Sequence, residues 1–372
     1  MNTVARTTLI SSIKPQILLA GATGFIGGTV LAHLLASPSP ALRSATVICL
    51  VRGSDRVATL LAAYGDRVHP VVYKDLDDLK AITAAATQAD LVINTTLGYH
   101  LPSAQALIRG LAQRKVVTGR DVWFVQTSGT SNLSDQPISG KYVEKDPERE
   151  FDDANDDIYG YEKMRDALHP YIQRTCELGV VDMGLALEVK TLVIMSPTIY
   201  GVGTGLFNTI SIQIPSFIRG VLQEGHGVVV GDGSQVKDRV HVQDVADLYT
   251  LVAEEAVGGD GRALPSGKEG IIFSANGRFT WRKAVQGVVD ACCDEGAITD
   301  RELKSVGLAE AARIWSSYLE EQDEDMVELG LAGNARTLAS VARKMGWKPT
   351  HGEEAWRKGF KDDVKAVLEE KK

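Results

Sequence analysis

The stretch Ile17–Gly28, ILLAGATGFIGG, decides the fold class of this 372-residue chain. A short apolar run comes directly before three glycines spaced three apart, Gly21, Gly24 and Gly27, and an apolar helical pattern follows them. A strand that turns sharply into a helix exposes backbone N–H groups and the positive end of the helix dipole, where a pyrophosphate binds well. Glycine is needed where the backbone approaches the phosphate and where helix packs on strand. The stretch therefore predicts a dinucleotide-binding βα unit.

Outward from this unit, short apolar runs alternate with longer helical patterns through the first half of the chain. The alternation is typical of parallel βαβ units, and the continuous apolar runs predict helices on both faces of the sheet. Strands are predicted at Gln16–Ala20, Thr46–Val51, Val68–Val72, Leu91–Asn94, Val122–Gln126 and Lys190–Met195, and helices are predicted to begin near Gly24, Asp77, Ser103 and Ile158.

The composition of the sequence changes after Pro197, where glycine-rich loops begin. We expect an α/β fold with a doubly wound parallel sheet of the Rossmann type, formed by residues 1–200 plus about 236–275. Residues 201–235 plus about 276–372 are expected to form a smaller, mostly helical C-terminal domain that binds the substrate.

Charge argues against several classes of partner. The chain has 40 basic and 48 acidic residues, a net charge of −8, which repels nucleic acid and anionic membrane surfaces. The run Ile17–Ala36 has the length of a membrane span, but its spaced glycines fit a nucleotide loop better. The expected partner is a small-molecule substrate.

Cysteine and histidine usage indicates neither a disulfide framework nor a metal site. Four cysteines are too few to staple a chain of this length, which favours a reducing cytoplasmic location. Seven histidines lack the spacing of zinc ligands, so no metal is predicted.

The end of the second predicted strand bears on cofactor choice. An acid there would bind the adenosine ribose, and a base would meet a 2′-phosphate. Arg52 stands at this position, with Arg56 one helical turn further on. Because a guanidinium is a forked donor suited to phosphate, NADP(H) is predicted, with NAD(H) left open by the nearby Asp55.

Other cofactor contacts are predicted from their place at strand ends. Asp75 and Leu76 follow the third strand, where an acid can receive the adenine amino group. Thr95 and Thr96 follow the fourth strand, at the carboxyl edge where open α/β sheets bind ligands.

One tyrosine of the ten has a lysine four residues on, Tyr159 with Lys163. Residues four apart share a helix face, so the ammonium would favour the ionised phenol and lower its pKa. Upstream, Ser128 ends the fifth strand at the same edge and could hydrogen-bond a substrate oxygen. Together these residues predict a hydride-transfer site with Tyr159 as acid/base.

At this point the chain resembles the extended short-chain dehydrogenase/reductase family, in its epimerase/dehydratase-like branch. The similar stretches are GATGFIGG at Gly21–Gly28, the Asp75 turn, TSGTS at Thr127–Ser131, YGYEK at Tyr159–Lys163, SPTIYG at Ser196–Gly201, DRVHVQDVAD at Asp238–Asp247 and MGWKP at Met345–Pro349.

The resemblance implies roles for individual residues. It implies a catalytic triad of Ser128, Tyr159 and Lys163, with Thr127 and Thr130 as alternatives for the serine, and with Lys163 on the nicotinamide ribose. It implies cofactor contacts from Gly21, Thr23, Gly24, Phe25, Ile26, Gly27, Pro197 and Thr198. It also implies a possible homodimer through the Tyr159 helix.

Two departures from the family pattern bear on the reaction. Many sugar dehydratases of the family carry Thr-Asp-Glu where this chain has Ser128-Gly129-Thr130, so the acid pair for water elimination is missing. Epimerases of the family usually carry an acid where Arg52 stands. An NADPH-dependent carbonyl reductase or alcohol dehydrogenase is therefore expected. The alternatives are an NAD-dependent nucleotide-sugar epimerase and a non-catalytic NADP(H)-sensing regulator.

Overall fold

The structure, a computed structural model, describes residues 14–259, 261–315 and 323–370. Its strands are β1 Gln16–Ala20, β2 Thr46–Arg52, β3 Val68–Tyr73, β4 Leu91–Asn94, β5 Trp123–Gly129, β6 Glu150–Asp152, β7 Lys190–Ser196, β8 Thr198–Tyr200, β9 Gly227–Val230, β10 Val236–His241, β11 Ile271–Phe273, β12 Arg278–Thr280, β13 Leu303–Val306 and β14 Arg336–Leu338.

The α-helices cover both faces of the sheet and build most of the C-terminal part. They are α1 Phe25–Ala36, α2 Pro40–Ser44, α3 Asp55–Tyr64, α4 Leu79–Ala86, α5 Leu101–Thr118, α6 Ile158–Leu168, α7 Ile172–Ala186, α8 Gln213–Glu224, α9 Val242–Gly258, α10 Trp281–Asp294, α11 Leu308–Ile314, α12 Glu324–Val327, α13 Ser340–Lys344 and α14 Glu353–Glu369.

Seven strands form one parallel sheet in the order β11-β7-β5-β4-β1-β2-β3. The order reverses at β1, so the carboxyl ends of β1 and β4 open a crevice where the doubly wound fold binds nucleotides. The predicted fold class is confirmed, and all six predicted strands form, with ends that differ from the predicted ones by at most three residues.

Apolar side chains form three buried clusters. Two of them cover the two faces of the sheet, as the continuous apolar strands require. The third cluster lies in the C-terminal part and is built around Trp281, Trp315 and Trp356. The segment Ala339–Trp347 packs instead on a sheet-face cluster. Residues 1–13, 260, 316–322 and 371–372 of the predicted domains lie outside the described residues.

The helix predicted to begin near Ile158 is two helices. α6 ends at Leu168, and α7 begins at Ile172 after His169 and Pro170. His169 has an extended backbone, φ −144° and ψ 95°, because a residue before proline is driven out of the helical region. α7 packs against β5 and β7 whereas α6 packs mainly against α7, and this break places Tyr171 at the start of its own helix.

None of the helices described is long and apolar enough to cross a membrane.

Candidate active site

A cavity of about 430 Å³ opens at the carboxyl edge of the sheet. Loops that follow β1, β4, β5 and β7 form one wall, and the C-terminal part closes the other. The lining residues are Phe25, Ile26, Thr96–Tyr99, Thr127–Ser131, Tyr171, Gln173, Ser196–Ile199, Ser211–Gln213, Lys237, Met326 and Gly330.

The glycine-rich loop at β1 has the shape that a diphosphate needs. Gly21 adopts φ +89°, a backbone conformation that residues other than glycine rarely adopt. Gly24 lies at the N-cap of α1 with no side-chain cap, so N–H groups of the first turn stay available. A Cβ on Gly27 would overlap the Gly21 carbonyl oxygen and the Thr95 hydroxyl. The loop Gly21–Gly27 therefore fits the diphosphate of a dinucleotide.

The other predicted cofactor residues fall into two groups. Thr96, Pro197 and Thr198 line the cavity beside Phe25 and Ile26. The remaining ones lie outside its lining.

Of that second group, Arg52 is exposed at the end of β2. Asp75 is partly buried and accepts a hydrogen bond from the backbone N–H of Asp77, 3.0 Å away. Leu76 is partly buried beside it. The Thr95 hydroxyl donates to the Ala20 carbonyl oxygen at 2.8 Å and so braces the glycine loop.

A strap formed by residues 201–212 lies over the same loop. The Thr204 N–H donates to the Thr29 hydroxyl at 3.2 Å, and the Asn208 N–H donates to the Thr23 carbonyl oxygen at 3.5 Å. The strap thereby ties the C-terminal part of the protein to the loop predicted to hold the cofactor.

Hydroxyl groups meet on the wall opposite the glycine loop. Tyr171, at the N-cap of α7, donates through its phenol to the Ser131 hydroxyl at 3.2 Å. Ser131 in turn donates to the Gln173 side-chain oxygen at 2.6 Å. Ser128, predicted from the sequence, lines the same cavity and is nearly buried. The arrangement can hold a substrate oxygen between hydroxyl donors.

Burial raises the pKa of the Tyr171 phenol above its ordinary value, although Ser131 and the Arg174 charge oppose the shift. The residue four positions on, where the predicted motif requires lysine, is Thr175. Its hydroxyl donates to Asp166 at 3.0 Å. The phenol that faces the cavity therefore lacks a lysine on its own helix face.

The structure corrects the placement of Tyr159 and Lys163. The Tyr159 phenol donates to Asp182 Oδ1 at 2.5 Å, and Lys163 donates to Asp182 Oδ2 at 2.9 Å. Burial and Asp182 raise the pKa of Tyr159, outweighing the opposing effect of Lys163, so the predicted lowering is wrong. Neither residue lines the cavity.

Tyr159 lies toward the opposite edge of the sheet. Asp182 is eleven residues after Tyr171, which corresponds to about 16 Å along α7. Lys268 also lies over the Tyr159 ring, 5.1 Å from its centroid, and belongs to the turn Gly267–Gly270 that precedes β11. Because strands of a parallel sheet share one carboxyl edge, this turn marks the amino edge.

Sequence reasoning missed Tyr171, although Pro170 was a signal for it. Proline ends a helix at the preceding residue, so the helix after it is a separate element with its own first residue. Lys237 was also missed. It lines the cavity, is 2% exposed and donates to the Ser134 hydroxyl at 2.5 Å. Burial lowers the pKa of Lys237 to about 7.

No group of three or more metal-ligating side chains suited to hold an ion occurs within residues 14–259, 261–315 and 323–370.

Known proteins resemble this chain in sequence and in fold. Residues 142–264 match the model of the NAD dependent epimerase/dehydratase family. Oxidase ucsJ from Acremonium sp is 29% identical over 346 residues, covering 90% of this chain and 92% of that protein.

Two solved structures share the fold. The dTDP-glucose 4,6-dehydratase DesIV from Streptomyces venezuelae has a TM-score of 0.64 at 16% identity, covering 95% of this chain and 97% of that one. A UDP-glucose 4-epimerase from Thermotoga maritima has a TM-score of 0.59 at 15% identity, covering 96% and 100%. The match over residues 142–264 and the shared architecture thus support the resemblance to the NAD dependent epimerase/dehydratase family and confirm its fold in this protein.

Proposed function

We propose that this protein is an NADPH-dependent reductase of a carbonyl group in a small organic molecule, with Tyr171 as the proton donor. One observation carries the proposal. The same cavity is lined by Phe25 and Ile26 of the glycine loop and by the hydrogen-bonded pair Tyr171 and Ser131. A cofactor held by the loop and a substrate oxygen held by the hydroxyls would share one enclosed space.

The cofactor and the residues that line the cavity would have distinct roles in the reduction. NADPH, when bound, supplies the hydride. Phe25, Ile26, Pro197 and Thr198 would hold its reactive end at the cavity wall. Tyr171 would donate its proton to the substrate oxygen as negative charge develops there, which is general acid catalysis.

The phenol of Tyr171 favours reduction over oxidation at neutral pH. A raised pKa keeps the phenol protonated, which is the form that donates a proton to a carbonyl oxygen. Oxidation would need the phenolate, and Thr175 offers no cation to stabilise it. The named oxidase among the relatives supports redox chemistry in general.

The second candidate is the non-catalytic NADP(H)-sensing regulator, here called the sensor, and Thr175 favours it. A regulator on this fold keeps the nucleotide loop without the tyrosine–lysine pair, and Tyr171 has Thr175 in place of the lysine. The hydrogen bond between Tyr171 and Ser131 inside the cavity argues against the sensor. The epimerase alternative draws on the family match over residues 142–264 and on the fold that solved structures share with this chain.

One assay separates these functions. The protein is mixed with NADPH and a panel of aldehydes and ketones, and nicotinamide absorbance is followed. The proposal expects loss of NADPH that depends on the carbonyl. Tight NADPH binding without turnover would favour the sensor, and inversion of a nucleotide sugar without net NADPH loss would favour the epimerase.

Arg52→Asp is expected to move the coenzyme preference toward NADH. Charge-assisted hydrogen bonds contribute about 1.5–3 kcal/mol, so NADPH affinity should fall roughly 10- to 100-fold. Titration calorimetry with both dinucleotides measures the ratio. Arg43→Asp makes the same charge change in the exposed helix before β2, at the other edge of the sheet, and serves as control. An unaltered ratio in Arg52→Asp contradicts the 2′-phosphate assignment.

A further inference from the structure

A buried acid pair lies behind the cavity wall. It consists of Glu162 on α6 and Glu177 on α7, and neither side chain has any exposed surface. Carboxyl groups are rarely buried in this way unless something compensates for the lost hydration. The proposed reduction, as described so far, makes no use of the pair.

The two carboxyl groups lie close enough to interact with each other directly. Within the described part of the chain, no N–H or O–H group is aligned to donate to either oxygen of Glu162. Two ionised carboxylates have no hydrogen to place between them and repel each other, so this contact requires a proton. Two carboxyls that share a site in this way share one proton between them.

Charged neighbours surround the pair from both helices. Arg174 of α7 is a cation that interacts with both carboxyls, and its guanidinium donates to the Asn132 carbonyl oxygen at 2.9 and 2.8 Å. Arg165 of α6 donates to Tyr161 and to the Ser134 carbonyl oxygen.

Burial is the largest effect on the pair and raises the pKa of both carboxyls, while Arg174 opposes the shift. The Cys176 thiol next to Glu177 stays protonated, because burial raises its pKa as well, to about 12. The pair therefore keeps its proton at a pH where ordinary glutamates are ionised.

A hydrogen-bonded path joins the pair to the cavity. Asn132 Nδ2 donates to Glu177 Oε2 at 2.9 Å and to the Ser128 hydroxyl at 3.3 Å. Because the same Asn132 nitrogen donates to both groups, the Ser128 hydroxyl is held beside the Glu177 carboxyl. Ser128 lines the cavity, whereas Asn132 and both glutamates have no exposed surface. The Ser128 hydroxyl is thus the link from the pair to the reaction space.

We propose that Glu162 and Glu177 form a proton reservoir that, through Ser128, restores the proton Tyr171 gives up in each turnover. The inference rests on the proposed reduction, which consumes one proton for each carbonyl.

The proton balance closes in three transfers. As the substrate oxygen gains its proton, the Tyr171 O–H bond breaks and a phenolate remains. A water in the cavity then protonates the phenolate and takes a proton from the Ser128 hydroxyl, which takes one from the Glu162–Glu177 carboxyl pair. The pair is left as two carboxylates near Arg174 and regains its proton from solvent through the cavity after the product leaves. Water-mediated hydrogen bonds of this kind are common in active sites.

The test compares wild type with Glu177→Gln across pH. Glutamine keeps the size and hydrogen bonds of the side chain but carries no proton to transfer. The carboxyl pair holds its proton below its raised pKa and loses it as the pH rises through that pKa. The pair therefore contributes to kcat at low pH and not at high pH. We expect the variant to be about 5- to 10-fold slower in kcat near pH 6, and the two rates to converge near pH 9.

Two further variants keep the test decisive. Ser128→Ala cuts the path from the cavity side and should reproduce the pH-dependent deficit. If Glu177→Gln does not fold, Glu162→Gln replaces it. Asp363→Asn is the matched control, since Asp363 is another buried carboxyl whose pKa burial raises to about 7, on α14 and away from the cavity lining. It should leave the kcat profile unchanged.

An infrared measurement tests proton sharing without turnover. The protonated-carboxyl band of wild type at neutral pH should persist in Ser128→Ala and weaken in Glu162→Gln/Glu177→Gln. A wild-type to Glu177→Gln ratio that is constant across pH in an active enzyme overturns the reservoir alone. A wild type that reduces no carbonyl overturns the proposed function, and the reservoir with it.

Discussion

Tyr171→Phe is expected to lower kcat for carbonyl reduction by roughly 10²- to 10⁴-fold, the usual contribution of a general acid. The substitution removes the phenol that faces the cavity and leaves the ring, so packing at the start of α7 is kept. The lost hydrogen bond to Ser131 contributes only about 0.5–1.5 kcal/mol to folding, too little to unfold the protein. Steady-state kinetics with NADPH and calorimetry of NADPH binding together check the prediction, because binding should stay nearly intact.

Tyr159→Phe is the matched control for this prediction. It also removes one phenolic hydroxyl from a nearly buried tyrosine, but the bond that it breaks is to Asp182, away from the cavity lining. Turnover should stay within about twofold of wild type, since no proton-transfer group is lost. The reverse result, with Tyr159→Phe inactive and Tyr171→Phe active, would restore the assignment made from the sequence pattern.

Gly27→Ala is expected to weaken NADPH binding by at least about 100-fold, roughly 2.8 kcal/mol. The added methyl would overlap the Gly21 carbonyl oxygen and the Thr95 hydroxyl, so the turn from β1 into α1 must open. Overpacking a tight contact costs about 1–3 kcal/mol in stability as well. A thermal melt with and without NADPH measures both effects, and the ligand-induced rise in Tm should disappear.

Gly110→Ala separates the loss of binding from the loss of stability. Gly110 is also a helical glycine in a tight contact, where an added methyl would lie only 2.5 Å from the Ala86 Cβ, but it lies between α5 and α4 and not at the nucleotide loop. This variant should melt earlier than wild type and still gain stability from NADPH. Gly24→Ala is the milder second variant at the loop, since its methyl would lie 3.3 Å from the Gly21 oxygen. NADPH stabilisation retained in Gly27→Ala would contradict the role of the loop.

The predictions about the sheet succeeded because they rested on local patterns. Gln16–Ala20 and Leu91–Asn94 form strands with the predicted bounds, because apolar runs of that length between glycine-rich and polar segments have few other ways to be buried. Ser128 was placed at the cavity by the same logic, since it ends a central strand. Position along a parallel strand tells which edge of the sheet a residue reaches.

The Tyr159 prediction depended on the orientation of a helix, which a sequence pattern does not give. Tyr159 and Lys163 do share a face of α6, but both donate hydrogen bonds to Asp182 on α7. Neither spacing nor composition reveals that partner. The acid pair of Glu162 and Glu177 was equally hidden, because its members lie 15 residues apart on two helices.

The amino-acid sequence by itself determined the doubly wound sheet, the glycine-rich loop at Gly21–Gly27 and the edge of the sheet at which the cavity opens, because each of these follows from short-range periodicity and from glycine's conformational freedom. Only the tertiary structure decided that Tyr171 lines the cavity and Tyr159 does not. Pro170 divides the helical segment, and packing of α7 against β5 and β7 places Tyr171 in the cavity lining, which does not include Tyr159. Long-range packing sets that orientation.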